Sequence, residues 1–428
     1  MIHTVEVYLW GSRIGILHQG ENDTVPAFEY DKDFRRSGIE LAPFQMPLSD
    51  RVYSFPNLRE SSAFHGLPGL IADSLPDKFG NAVIEQWLSA QGRTSGSFTA
   101  LERLCYTGKR GMGALEYVPS EDIGMSDSAI DVTELTEFAS EILSGRESKS
   151  YNAKDVTRAQ MLEIGSSAGG ARAKAVIAWN METNEIRSGQ VDVSPDFSHW
   201  LIKFDQVRGN GDHGVHDCMQ YTLIEYAYYL MARDCGIDIS ECRIFKKDGM
   251  SHFMTKRFDR QNGKKIFMQT LSALGHFDFN EPYLCSYNTY AEYAKRLGIG
   301  KSGIEEIYRR MVFNVLAVNC DDHVKNFSFI MDRQGTWKLS PAYDLTFAYN
   351  PDNRWLCGHQ VTINGKSKNI TDGDLLQTGK AMGLSKAFCE NTVAKIRAVI
   401  QNWLIYAQKC DISEQTTETV AEVLKQGI

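Results

Sequence analysis

A chain of 428 residues, 43% apolar and 11% aromatic, carries enough core for two or three packed domains, which excludes a disordered protein. Lys and Arg total 46 against 54 Asp and Glu, so a net charge of −8 excludes a chain-wide electrostatic grip on nucleic acid and leaves only a local basic patch open. Nine cysteines without a CxxC pair, no basic and apolar leader after Met1, and no apolar run of about 20 residues predict reduced thiols, a cytoplasmic location and no membrane span.

Val5, Val7 and Leu9 alternate with polar residues, Gly11-Ser12-Arg13 turns the chain, and Ile14 and Ile16 resume, so the chain opens as a β-hairpin. Between Ala63 and Arg93 the apolar spacing becomes helical, with Pro76 setting Asp77 near a helix start. These segments predict a small α+β unit over 1–115, and the acidic, aperiodic stretch 119–131 reads as a linker. Leu135, Phe138, Ala139 and Ile142 recur at helical spacing up to Gly145, and a second helix is predicted to lead to Leu162. A glycine-rich turn follows at 165–170, then strands at 175–179 and 199–204. A long helix over 219–233 ends at Gly236, suited to a left-handed cap, and a strand at 251–258 closes a β-rich region spanning 132–267. The remainder, 268–428, is predicted to be mostly helical.

Ser302-Gly303-Ile304-Glu305 has the form of a capping box, and Ile304, Ile307, Tyr308, Met311, Val312, Val315 and Leu316 continue as the buried face of an amphipathic helix. That helix delivers the polar cluster Asn319-Cys320-Asp321-Asp322-His323-Val324-Lys325-Asn326. A hairpin with strands at 327–331 and 336–339, turning at Asp332-Arg333-Gln334-Gly335, is expected to return the chain so that Asp344 lies beside Asp321 and Asn326. Helix, Asp-x₄-Asn loop, hairpin and terminal Asp is the order that phosphoryl transfer by protein kinases requires. Asp321 is assigned as the base that takes the hydroxyl proton, and Asn326 and Asp344 as oxygen ligands of Mg²⁺. Asp322 stands one residue too close to Asn326 for that spacing and reads as an outward or structural acid. The plainer alternative, acids that merely cap a helix and a turn, does not account for the order in which they arrive.

Ser166-Ser167-Ala168-Gly169-Gly170-Ala171-Arg172-Ala173-Lys174 is a glycine-rich turn entering a strand, where backbone N–H groups can approach phosphate oxygens. It lacks Gly-Lys-Ser/Thr and a following helix, so it is not a Walker A loop, and alone it would pass for an ordinary turn. Lys203 on the next apolar strand needs a negative partner once buried, which ATP phosphates would provide; an exposed edge-strand lysine is the alternative. Glu225 in the following helix is its candidate ion-pair partner. Phe258 either joins two lobes and stacks on adenine or is a plain core aromatic. Asp212-His213-Gly214-Val215-His216-Asp217-Cys218 contains zinc-ligand types but no second ligand pair, and solvated residues with Asp217 as a cap are the favoured reading. His323 reads as a loop-stabilising hydrogen-bonding group rather than as the base.

Together these residues resemble the HipA family of bacterial serine/threonine kinases, the toxins of type II toxin–antitoxin modules. The marks are Val7-Tyr8-Leu9-Trp10-Gly11 with Ile14-Gly15, Leu75-Pro76-Asp77, the run from Ser167 to Lys174, Leu201-Ile202-Lys203, Arg257-Phe258-Asp259-Arg260, the run from Asn319 to Asn326, and that from Ser340 to Leu345. They span most of the chain. The resemblance implies an α+β, protein-kinase-like two-lobed fold with an extra N-terminal α+β subdomain (1–115), a nucleotide-binding N-lobe (132–267) and a mostly helical C-terminal lobe (268–428). It implies Mg²⁺-dependent transfer of the ATP γ-phosphate to serine or threonine of a protein, translation factors such as aminoacyl-tRNA synthetases being the usual targets, with growth arrest as the result. It also implies a HipB-like helix-turn-helix antitoxin that carries most of the contacts to operator DNA. The nucleotide contacts expected with it are Ser167, Ala168, Gly169, Gly170, Ala171, Arg172, Lys174, Lys203, Lys256, Phe258, His323 and Lys325. In the family a serine of the glycine-rich loop is autophosphorylated and the loop is expelled. The matching position is Ser167, with Ser166 as the alternative, and about −2 of added charge beside the nucleotide phosphates is a sufficient reason. Ala173 departs from the proline or acid of many relatives, and Asp322 makes the catalytic loop more acidic than usual. Two rival functions are a catalytically weak, kinase-like co-repressor acting with a DNA-binding antitoxin, and a metal-dependent phosphohydrolase built on the Asp/His cluster.

Overall fold

The structure is a computed structural model that describes residues 2–90, 92–93, 98–121, 129–144, 172–190, 193–207 and 220–427. The alternation of Val5, Val7 and Leu9 buries one face of β1 (Thr4–Leu9), which pairs with β2 (Ser12–His18) in the expected hairpin. β3 (Ala27–Tyr30) and β4 (Val52–Ser54) extend the sheet beyond β2. The helices α1 (Gly69–Ala72), α2 (Lys78–Ala90) and α3 (Ala100–Thr107) then intervene before β5 (Leu115–Val118) returns to pair with β1. Strand order is therefore β4-β3-β2-β1-β5. A reciprocal capping box between Thr99 and Glu102 starts α3 and contributes about 1 kcal/mol.

After α4 (Val132–Ser144) comes a second antiparallel sheet of β6 (Lys174–Trp179), β7 (Ile186–Ser188), β8 (Ser198–Lys203), β9 (Cys242–Lys247) and β10 (Met250–Lys256), ordered β7-β6-β8-β10-β9. Between β8 and β9 runs α5 (Tyr221–Cys235), ended by Gly236 at φ 81°, where a left-handed cap returns its N–H to Ala232 O and Arg233 O. Lys174 and Lys203 are directly opposed across β6 and β8, which sets both side chains on one face.

The third region adds β11 (Phe267–Thr270), α6 (Leu271–Gly275), α7 (Tyr287–Arg296) and α8 (Lys301–Leu316). The predicted hairpin follows as β12 (Ser328–Met331) and β13 (Trp337–Leu339), with β11 joining it as a third strand. Four helices complete the chain, α9 (Asp372–Ala381), α10 (Lys386–Ile400), α11 (Trp403–Lys409) and α12 (Glu414–Gln426). The expected capping box at Ser302 is absent. The N-cap is Gly300 and Ser302 lies inside α8, because the chain reverses at Gly298 (φ 79°) and the helix begins before the serine can serve as its cap.

The first sheet does not have a core of its own. Leu67, Leu70 and Ile71 share one apolar cluster with Leu274, Tyr290 and Phe327, whereas the second sheet packs separately around Trp200, Ile202 and Met254, with Phe79 and Val83 of α2 reaching into it. The N-terminal unit thus touches both of the others. A Cβ on Gly69 would lie 2.2 Å from Ala273 O, so only glycine permits α1 to approach α6 this closely, and the Gly69 N–H donates to His276 Nε2 at 3.0 Å. A second tie is fully buried. Asp259 accepts two bonds from Arg257 (2.8 and 2.7 Å), one from Arg260 (2.9 Å) and one from the Gly113 N–H (2.7 Å). Burial opposes ionisation there, but the two guanidinium groups outweigh it and hold the Asp259 carboxyl well below the ordinary range. Among the described residues no helix is long and apolar enough to cross a membrane.

Candidate active site

The loop after α8 rests on a buried chain of polar groups. Asn319 Nδ2 donates to Asn314 Oδ1 (3.0 Å), Asn314 Nδ2 to the Tyr287 hydroxyl (2.8 Å), and that hydroxyl to Asp322 Oδ2 (2.9 Å). His359 Nδ1 lies 3.0 Å from the same oxygen, and the Gln360 N–H donates to Asp322 Oδ1 at 2.8 Å. Asp322 is therefore the structural acid of the pair, 1% exposed, and not an outward one. A carboxylate this deep persists because each oxygen has a donor. Its neighbour Asp321 keeps a side chain 31% exposed, accepts from Gln360 Nε2 at 3.0 Å, and sits 3.8 Å from His323 Nε2. Asn326 donates its amide N–H to Asp321 O at 2.9 Å, which turns its amide oxygen toward the role of acceptor or ligand.

The hairpin does return Asp344 to this loop. Tyr343 donates its hydroxyl to Lys325 O (2.8 Å), so the residues immediately before Asp344 and Asn326 are tied together. Asp344 sits at φ 53°, a left-handed backbone that aspartate tolerates better than most residues. Lys203 Nζ reaches both Glu225 Oε1 and Asp344 Oδ1 at 2.7 Å, so the expected pair with Glu225 is present and a second carboxylate shares it. Burial opposes the ammonium, yet its two carboxylates outweigh burial and hold Lys203 above its ordinary value. For Asp344 burial pushes upward, and the fields of Lys203 and then Lys174 hold it below the usual carboxylate range. Glu225 goes the other way, because its burial exceeds what Lys203 offsets.

A cavity of about 290 Å³ opens where the three regions meet. The N-terminal unit contributes Leu70, Asp73, Leu75, Asp77 and Leu115, the second sheet Leu201, Thr255 and Lys256 with Phe258 just beyond β10, and the helical lobe Asp321, His323, Lys325, Asn326, Tyr343, Asp344 and Gln360. Lys256 is paired with Glu241 at 3.3 Å, Lys325 lies 4.7 Å over the Phe279 ring, and Phe258 stands 5.7 Å from the Tyr343 ring at 33°. Arg172, Lys174 and Lys203 are not among the residues that line the cavity. Arg172 lies 3.8 Å over the Tyr221 ring, and Lys174 faces Asp77 at 3.5 Å with both side chains buried. Ser166, Ser167, Ala168, Gly169, Gly170 and Ala171 lie outside the described residues, as does the 212–218 stretch with its zinc-ligand types.

The donor set suits a hard cation. Asp344 and Asn326 offer carboxylate and amide oxygens, while among the described residues no group of three or more His, Cys, Asp or Glu could hold a metal by itself. A cation here would complete its shell from phosphate oxygens and water, as Mg²⁺ ordinarily does.

Two family models match the chain, the HipA N-terminal domain over residues 5–118 and the HipA-like C-terminal domain over residues 166–403. The chain belongs to the HipA family. Its structure is similar to a chain in the complex of the Shewanella oneidensis MR-1 toxin–antitoxin system HipA, HipB and its operator DNA, with a TM-score of 0.71 over 99% of this chain and 95% of that one at 17% identity. That likeness is one of fold, and it bears out the α+β, kinase-like two-lobed architecture with its N-terminal addition. A protein of Sinorhizobium fredii (strain NBRC 101917 / NGR234) named "Putative kinase Y4dM" is 30% identical over 135 residues, which are 28% of this chain and 32% of that protein, so the chain spans about a third of that curated relative's length.

Within this HipA-family chain, three wall residues escape sequence reasoning. Asp73 accepts from Thr270 N and Oγ1, each at 2.7 Å, and Asp77 faces Lys174 across nearly a hundred residues of sequence. Leu75-Pro76-Asp77 carried a family signal but no assigned chemistry. Gln360 had no signal, since its partners Asp321 and Asp322 lie far upstream in a segment without periodicity.

Proposed function

We propose that this chain is an ATP-dependent serine/threonine protein kinase of the HipA type. The observation that carries the reading is the buried Lys203 that joins Glu225 of α5 to Asp344 beyond the C-lobe hairpin, against the cavity that Asp344, Asp321 and Asn326 line. Fixed charges meeting from both lobes are what positions a triphosphate for transfer. Asp321 accepts the proton of a substrate hydroxyl, whose oxygen attacks the γ-phosphorus as the bond to the bridging oxygen breaks and ADP leaves. Asn326 and Asp344 hold Mg²⁺, which when bound neutralises phosphate charge. Lys203, Lys174 and Arg172 supply positive charge to the nucleotide, Phe258 and Lys256 border the adenine, and His323 and Lys325 flank the γ-phosphate.

The family suggests the rest of the reading. The substrate is a protein of the translation apparatus, an aminoacyl-tRNA synthetase being the first to test, and the result is arrest of growth in the cytoplasm. A HipB-like helix-turn-helix antitoxin restrains the enzyme and provides most of the contact with operator DNA. Phosphorylation of Ser167, or of Ser166 beside it, silences the kinase by charge repulsion.

Labelled γ-phosphate transfer with Mg²⁺ tests the core of this. Wild-type chain is compared with Asp321→Asn and Asp344→Asn, using self-labelling and a cell lysate as acceptors. Transfer should be lost in both variants; transfer that survives both refutes the assignment, and no transfer by wild type favours the co-repressor reading. Mass spectrometry of the 165–174 peptide after incubation with ATP locates the self-modified serine.

A further inference from the structure

His359 and Gln360 hold the two consecutive acids of the catalytic loop between them. His359 meets Asp322, while Gln360 uses its backbone N–H on Asp322 Oδ1 (2.8 Å) and its side-chain Nε2 on Asp321 Oδ1 (3.0 Å). The Gln360 carbonyl in turn accepts from the Tyr283 N–H at 2.8 Å. Both backbone polar groups of Gln360 are thereby fixed, the residue is 5% exposed, and its side chain runs along the cavity wall to Asp321. His323 Nε2, at 3.8 Å from the same oxygen, is beyond hydrogen-bond reach.

We propose that Gln360 is the positioning residue for the base, its amide locking the rotation of the Asp321 carboxylate about Cβ–Cγ so that an oxygen meets the acceptor hydroxyl. This rests on the kinase reading above. A carboxylate can turn about Cβ–Cγ, and a directional donor on one oxygen favours one orientation. The residue type matters. A lysine or arginine at 360 would stabilise the carboxylate against taking a proton, whereas a neutral amide orients it without adding a full charge. Gln360 is unchanged by the reaction: the acceptor O–P bond forms, the γ-phosphorus bond to the bridging oxygen breaks, ADP takes the electron pair, and the proton passes to Asp321.

The test uses the full chain with γ-labelled ATP and Mg²⁺, self-labelling and dephosphorylated casein as acceptors, and the variants Gln360→Met, Gln360→Glu and Gln360→His. Met keeps the length without a donor, Glu replaces the donor with a repelling charge, and His returns an N–H at similar reach. Expected kcat falls on the order of tenfold for Met and a hundredfold for Glu, with His above Met, while the KM for ATP stays within about twofold. Rates are taken per folded molecule from thermal melts. Full kcat in Gln360→Met beside a dead Asp321→Asn overturns the positioning role and leaves the kinase intact. So does a loss that follows ATP affinity or folded fraction, or a His variant no faster than Met. A wild type that transfers no phosphate even after phosphatase treatment has removed phosphate from Ser166 and Ser167 overturns the kinase reading itself.

Discussion

Replacing Lys203 by methionine removes the ammonium that lies 2.7 Å from both Glu225 and Asp344, leaving the two carboxylates only the weaker fields of Arg172 and Lys174. Removing one partner of a buried pair costs about 3–5 kcal/mol, and the 29% exposure of the Asp344 side chain to the cavity places this case near the lower end. With about 2.1 cal/mol/K of unfolding entropy per residue, a loss of about 3 kcal/mol over a chain of 428 residues lowers Tm by roughly 3–4 °C if it melts as one unit. The deficit has a pH signature. Glu225 already titrates above the ordinary 4.5 because of burial, and losing Lys203 drives it further up and lifts Asp344 from below its ordinary value, where burial is then opposed mainly by Lys174. The native state then keeps protons that the unfolded chain has released, so stability falls as pH rises above 4.5 through the raised folded values. Melts of wild type, Lys203→Met and Lys203→Met/Glu225→Gln at about pH 5 and about pH 8 check this. The single variant's deficit should grow between the two, and the double variant should recover more than half of it. An equal deficit at both pH values, or a double variant no better than the single, refutes the account of Lys203 as a shared counter-charge.

Asp344→Asn and Asp344→Ala should both lower phosphate transfer by at least about a hundredfold, but at φ 53° only alanine adds strain, about 1 kcal/mol, visible as a lower Tm than that of the asparagine variant. Asp259→Asn should destabilise by about 3 kcal/mol near neutral pH and speed hydrogen exchange at the Gly113 amide. Because the folded Asp259 carboxyl titrates below 3.8, its stabilisation is present above that pH, and the gap to the variant should close as pH falls through the folded value. Burial pushes His276 down to about 4 from 6.5, so the unfolded chain takes up its proton first and stability should decline as pH falls from 6.5 toward 4. His276→Gln should remove on the order of 2 kcal/mol of that decline in calorimetric melts.

What the sequence revealed of this site was what local order encodes. The Asp321 to Asn326 spacing and the hairpin that brings back Asp344 lie within one short stretch, where periodicity and turn chemistry act directly. The pairing of Lys203 with Glu225 was also within reach, since a strand and the following helix are neighbours in most folds. Asp73, Asp77 and Gln360 were hidden because their partners come from distant segments that only tertiary packing brings together. Ser302 misled for a related reason: its spacing to Glu305 satisfies a capping box, yet the reversal at Gly298 fixed the helix start upstream. Phe258 lines the cavity beside Tyr343, a place that its sequence context alone does not distinguish from the core.

The cavity draws its walls from segments near 70–115, 201–280 and 321–360. A growing polypeptide on the ribosome therefore has no cleft to work with until most of its message has been decoded, even if its earlier regions have already folded. Fragments from interrupted translation carry at most part of its walls.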